Sequence, residues 1–166
     1  MKQVFESSSD DDALVLARAA TILRKEIFAE KYQTFNGTFS QSCHNDFLPH
    51  SLKSFTDMLL QGPNINENNK YLEQYKLTIS QLIVQNAVKR TRKKSSSSYF
   101  DKSKESPLST YVGMMIHAKT RKKGVIEKLY DLGISIPYNR VLELSTSLGT
   151  TVLKQFQEDG VFVLGL

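Results

Sequence analysis

Lys122-Lys123-Gly124-Val125-Ile126-Glu127-Lys128-Leu129-Tyr130-Asp131-Leu132-Gly133, then Ile134-Ser135-Ile136-Pro137-Tyr138, then Asn139-Arg140-Val141-Leu142-Glu143-Leu144, reads as two helices about a short turn. Val125, Ile126, Leu129 and Leu132 recur at helical spacing, so they form the apolar face of the first helix. Gly133, just past that face, takes the left-handed conformation that closes a helix, and Ser135 is placed to cap the next one. Pro137 fits the first turn of the second helix, where a missing N–H costs nothing. Ile134, Ile136, Val141, Leu142 and Leu144 fill the angle between the two. This is the layout of a DNA-binding helix-turn-helix, whose second helix presents its first residues to base edges. Here these are Tyr138, Asn139 and Arg140, matching phosphate, adenine and guanine respectively. Leu129 departs from the pattern, which has a small residue at mid-helix. Ordinary packing of two helices remains the other reading of the same residues.

Working outward, charge sharpens the first reading. The 166-residue chain carries 22 Lys and Arg against 17 acidic residues, for a net charge of +5. The excess sits in two runs. Lys119, Arg121, Lys122 and Lys123 stand at the start of the helix pair as candidate phosphate contacts. Lys89, Arg90, Arg92, Lys93 and Lys94 form a dense basic run that reads as a nuclear-targeting signal, with import factors as its partners, or as a cationic helix end. Ser95 to Ser98 follow, where phosphorylation would cancel charge.

The rest of the chain reads as helices. Ser9-Asp10-Asp11-Asp12 opens the first, extending to about Thr34, with Leu14, Ala17, Thr21, Leu23, Ile27 and Phe28 inward. A loop runs to Pro49. Ser51 caps a short helix with Leu52, Phe55, Met58, Leu59 and Leu60 inward, stopped by Gly62-Pro63, and an Asn-rich connection follows from Asn64 to Asn69. A long helix spans about Lys70 to Arg90, with Tyr71, Leu72, Tyr75, Ile79, Leu82, Ile83, Asn86 and Ala87 inward. Residues 91–106 read as a disordered basic and Ser-rich linker, with too little apolar area to offset ordering. Pro107 then starts a helix carrying Leu108, Tyr111, Val112, Met115 and Ile116. The last helix extends from Pro137 to Asp159, weakened at Gly149 and stopped by Gly160. Residues 161–166 form an apolar, β-prone tail.

The expected fold is therefore all-α. An N-terminal helical region, 9–90, and a C-terminal helix-turn-helix-like module, 107–160, are separated by the linker. One cysteine, Cys43, excludes an internal disulfide and suits a reducing compartment. With no signal-like or membrane-length apolar run, the expectation is a soluble nuclear or cytoplasmic protein with no membrane partner.

Catalysis finds little support. Cys43, His44, Asp46 and His50 share a loop, but no second ligand pair answers them, so neither a metal nor a cofactor is expected. A Cys-His nucleophile there lacks an orienting third group. His117 reads as a half-buried helix residue or a phosphate contact. There is no phosphate-cradling Gly-rich loop and no nucleophile elbow, which excludes the commonest enzyme classes and leaves no evident small-molecule substrate.

The segments from Leu108 to Lys123, from Leu132 to Thr146 and from Gln155 to Val161 resemble a group of uncharacterised, transposase-like proteins of aquatic invertebrates and fish. These look like products of mobile elements and often carry Cys-rich regions. In that group the sequence continues into an acidic Asp-Asn-x-Asp-His-Asn stretch, where this chain has Phe162-Val163-Leu164-Gly165-Leu166. The resemblance implies a piece lying upstream of a catalytic core. The resulting expectation is a non-catalytic DNA-binding fragment of a mobile-element-derived protein. The alternatives are a helical protein-interaction module and a degenerate gene product without selected activity.

Overall fold

The computed structural model describes residues 3–29, 40, 42–62, 70–92 and 105–158. It contains seven helices and, among the described residues, no strand: α1 (Gln3–Ala29), α2 (Cys43–Asp46), α3 (His50–Gln61), α4 (Lys70–Arg92), α5 (Pro107–Thr120), α6 (Lys123–Asp131) and α7 (Tyr138–Glu158). The fold is all-α.

Two apolar clusters form. Ile27, Phe47, Leu48, Leu52, Val84 and Val88 build the first, from α1, the turn after α2, α3 and α4. Ile126, Ile136, Val141 and Leu144 build the second, from α6, the following turn and α7, with Met114, Ile116 and Tyr138 against it. Polar contacts from α4 join them. Gln81 Oε1 accepts from the Leu108 N–H at 2.9 Å, and Gln85 Oε1 accepts from the Ser106 N–H at 3.3 Å. Ser106 Oγ caps α5 by accepting from the Ser109 N–H at 3.1 Å. The first N–H groups of a helix have no intrahelical partner, so all three bonds meet an obligatory need of α5. One turn further along α4, Lys89 Nζ donates to the carbonyls of Tyr130 and Asp131 and lies 3.9 Å from the Tyr130 ring centroid. A cation thus closes the negative end of α6.

The same docking corrects the linker expectation at its edges. Thr91 and Arg92 belong to α4, and Glu105 and Ser106 are buried, at 5% and 0% exposure. Residues 93–104, the Asn-rich connection 63–69 and the tail 161–166 lie outside the described residues.

Several expected apolar faces are turned outward. Leu14, Tyr75, Ile79 and Ile83 are exposed, whereas Ser80 and Gln81 are buried beside Val84 on α4. Ser80 Oγ donates to Thr56 Oγ1 at 2.9 Å, and Thr56 Oγ1 donates to the Leu52 carbonyl at 2.9 Å. Each polar group is met, so burial carries no desolvation penalty large enough to reverse the face. Ser51 does not cap α3. Pro49 holds that position, and the Ser51 hydroxyl donates to the Glu26 carboxylate. Lys76 ties α4 to α3 through Asp57 at 3.1 Å and also holds Glu73 at 2.6 Å. Burial alone would lower its pKa, but these two acceptors raise it overall.

Helix α5 also buries a small polar face: Ser109, Thr110, Gly113 and His117. Gly113 explains the choice, since a Cβ there would meet Ser135 Oγ at 2.8 Å, Val141 Cγ2 at 3.0 Å and Ile136 Cγ1 at 3.1 Å. Small residues let the turn after α6 lie against the α5 backbone, and Ile136 donates its N–H to the Ser109 carbonyl at 3.3 Å. A Cβ at Gly149 of α7, by contrast, would meet nothing within 4 Å. Opposite signs are expected: Gly113→Ala should lower unfolding free energy by about 1–3 kcal/mol through overpacking, whereas Gly149→Ala should raise it by about 0.5–1 kcal/mol through helix propensity. Urea titrations of the two variants check this.

Candidate nucleic-acid interface

The turn between α6 and α7 is built by backbone chemistry that the sequence announces. Gly133 has φ 78°, and its N–H donates to the Tyr130 carbonyl at 2.9 Å, while the Ile134 N–H donates to Leu129 at 2.9 Å. These are the paired bonds of a Schellman closure. Asn86 of α4 then seats the turn by donating to the Gly133 carbonyl at 3.1 Å. Ser135 does not cap α7 as expected; its hydroxyl donates to the Ile136 carbonyl at 2.9 Å. Pro137 stands just before the helix, with its carbonyl accepting from the Arg140 and Val141 N–H groups at 3.0 and 3.1 Å. The connection, 132–137, is longer than the three or four residues usual between the helices of a helix-turn-helix.

Residues 121–122 alone separate α5 from α6. Arg121 adopts φ 55°, a left-handed cap, and donates its N–H to the His117 carbonyl at 3.0 Å. Lys122 precedes α6 with no side-chain cap bond. This corner displays Lys119, Arg121, Lys122 and Lys123, all exposed. Lys123 Nζ meets Glu127 at 3.4 Å, but both side chains are more than half exposed, so the pair holds the lysine weakly. The same Nζ lies 5.9 Å from the Tyr138 ring centroid, which brings the starts of α6 and α7 to one side of the module. Exposed Asn139 follows there. The amino-terminal ends of two helices and a group of exposed cations thus share one surface, and such ends favour anions.

Three expected site residues are placed elsewhere. Arg140 is turned into the protein and not toward the surface. It is 7% exposed, its Nε donates to both Glu105 oxygens at 2.9 and 3.0 Å, and its Nη1 meets Glu143 at 2.9 Å. Burial disfavours the charged guanidinium, yet the two carboxylates prevail and its pKa is raised. His117 is buried against the Tyr138 ring, with centroids 5.7 Å apart, and is no phosphate contact. Lys89 is spent on the end of α6, so the basic run is not freely presented at its first residue. Arg90 and Arg92 lie on the last turn of α4, and Lys93 and Lys94 lie outside the described residues.

The loop of candidate ligands disperses as well. His44 Nδ1 lies 3.1 Å from the Gln81 amide nitrogen, and burial pushes the Cys43 thiol pKa up, away from a reactive thiolate. Among the described residues no group of three or more His, Cys, Asp or Glu is placed to hold a metal ion. Among the same described residues no helix is long and apolar enough to cross a membrane.

Sequence reasoning placed Asn139 outward but missed the rest of its row on α7, Leu142, Glu143 and Thr146, all exposed, opposite buried Arg140, Val141 and Leu144. The 3.6 period contained this row, but assigning Arg140 to the surface shifted the face.

No family model, curated protein or solved structure matches the chain.

Arg140→Ala should destabilise the protein by about 3–5 kcal/mol, because it removes the cation that faces the buried Glu105 carboxylate. Lys123→Ala should stay within about 0.5 kcal/mol. Thermal unfolding monitored by circular dichroism distinguishes a structural from a surface arginine, and the double variant Arg140→Met, Glu105→Leu should recover most of the loss.

Proposed function

We propose that this chain is a non-catalytic module that binds the phosphate backbone of duplex DNA through Lys119, Arg121, Lys122 and Lys123, with Tyr138 and Asn139 beside them. One observation carries the reading. The four cations are exposed on the corner where α6 begins, and Lys123 reaches the ring that opens α7. A cation at such a corner meets a phosphate with little desolvation cost, and a helix N-terminus adds its own partial positive charge. Arg90, Arg92, Lys93 and Lys94, without Lys89, remain the residues through which import factors would carry the chain to the nucleus. The mobile-element origin implied by the C-terminal resemblance accords with a DNA-handling segment.

A helical protein-interaction module is the second reading, favoured by Tyr75, Ile79 and Ile83. These form an exposed apolar row on α4, on the side away from its two packed faces. It takes first place if DNA affinity is absent.

Binding of a short duplex followed by fluorescence anisotropy at several salt concentrations tests the first reading. Affinity should fall steeply with salt, and each alanine replacement at 119, 121, 122 or 123 should lower the log-log slope by roughly one unit. Lys25→Ala, on the exposed face of α1, should leave the slope unchanged. A slope near zero, or one that responds equally to Lys25, overturns the assignment.

A further inference from the structure

The outer row of α7 differs in chemistry from the corner beside it. Asn139, Leu142, Glu143 and Thr146 recur at i, i+3, i+4 and i+7 and are all exposed. The row begins one residue after Tyr138, so a duplex lying on the cationic corner would meet it at once. It carries no cation. Its single charged member, Glu143, is 48% exposed and holds Arg140 Nη1 at 2.9 Å. One guanidinium shared by Glu105 and Glu143 leaves this cluster with a single net negative charge, so the attraction for phosphates must come from the corner and not from the row.

The groups that these side chains carry match some base-pair edges and not others. Guanine is read in the major groove through O6 and N7, both acceptors, by Arg or Lys, and the row has neither. Arg140, the residue that would supply that contact, is committed to Glu105 inside the protein. Adenine offers an N7 acceptor and an N6 donor, which the amide of Asn139 matches with its own donor and acceptor. Thymine adds a C5-methyl group, an apolar partner for Leu142, 39% exposed, and for the methyl of Thr146.

Resting on the duplex-binding reading above, we propose that α7 selects A·T base pairs in the major groove. Asn139 is the adenine contact, and Leu142 and Thr146 are the thymine-methyl contacts. The division of labour is strict. Corner cations set affinity and its salt dependence, and the outer row sets base preference without adding to the salt slope.

The full chain is titrated against two duplexes of equal length, one of mixed-order A·T pairs and one of G·C pairs, at the same salt concentration. The A·T duplex should bind on the order of tenfold more tightly. Asn139→Ala should erase most of that preference while leaving the salt slope intact, and replacing adenine by 7-deazaadenine should do the same to the unaltered protein. Replacing thymine by uracil should weaken binding several-fold, and Leu142→Ala should be indifferent to it. Equal affinity for both duplexes overturns the proposal, as does a G·C preference, which would assign reading to Glu143 and cytosine. A preference that survives both 7-deazaadenine and Asn139→Ala also overturns it, because the contact would then lie in the minor groove. Absence of binding to either duplex is a separate result, and it removes the duplex-binding reading itself together with this one.

Discussion

Three polar side chains on one row of α4, Gln81, Gln85 and Lys89, stand four residues apart and each meets backbone groups at a helix end. The two glutamines supply acceptors to the start of α5, and the lysine supplies a donor to the end of α6. Every other feature of the C-terminal half depends on this. It positions α5, whose small face then receives the turn, and the turn in turn sets where α7 begins. A neutral hydrogen bond contributes only about 1 kcal/mol net, but leaving a buried helix end unmet costs about 1–3 kcal/mol per group. The row therefore works less by attraction than by making every other docking of α5 expensive. Asn86, with its bond to Gly133, adds the same kind of constraint at the turn.

That row also explains what could be read from the sequence. Helix existence and the closure at Gly133 followed from local rules that tertiary packing does not override: apolar period, proline and glycine punctuation, and the need for a positive φ at one position. The inward faces of α4 and α5 did not follow, because an apolar-periodicity argument assigns Ser80, Gln81, Gln85, Ser109 and Thr110 to water. Their burial depends on partners far away in sequence, such as Gln81 with Leu108 and Gln85 with Ser106. Gly113 was the available signal, since a glycine inside a helix with no turn to serve marks a close approach of another backbone. At the interface, the corner cations were legible as a charge run, whereas Arg140 was not. Its environment is decided by Glu105, which lies in a stretch whose composition reads as linker.

The Glu105–Arg140 pair has a particular place in this architecture. Two charges nearly removed from water gain little net stability from each other, because their desolvation consumes most of the attraction. What such a pair gives is intolerance of misplacement, since a shift of α7 that parted them would break the two-oxygen contact of a buried guanidinium with a buried carboxylate. It fixes the rotation of α7 about its own axis, and so decides which of its residues face outward.

Helix α4 ends at Arg92, and on the other side of segment 93–104 Glu105 and Ser106 are buried. The covalent connection between these two places keeps α5 at high effective concentration near its docking row on α4. Loop-closure entropy grows slowly with length, so an insertion that doubled this segment would cost only about 0.6 kcal/mol. Because Gln81 and Gln85 hold Leu108 and Ser106 directly, the register between α4 and α5 is set by the docking row itself, whatever the length of chain that joins them.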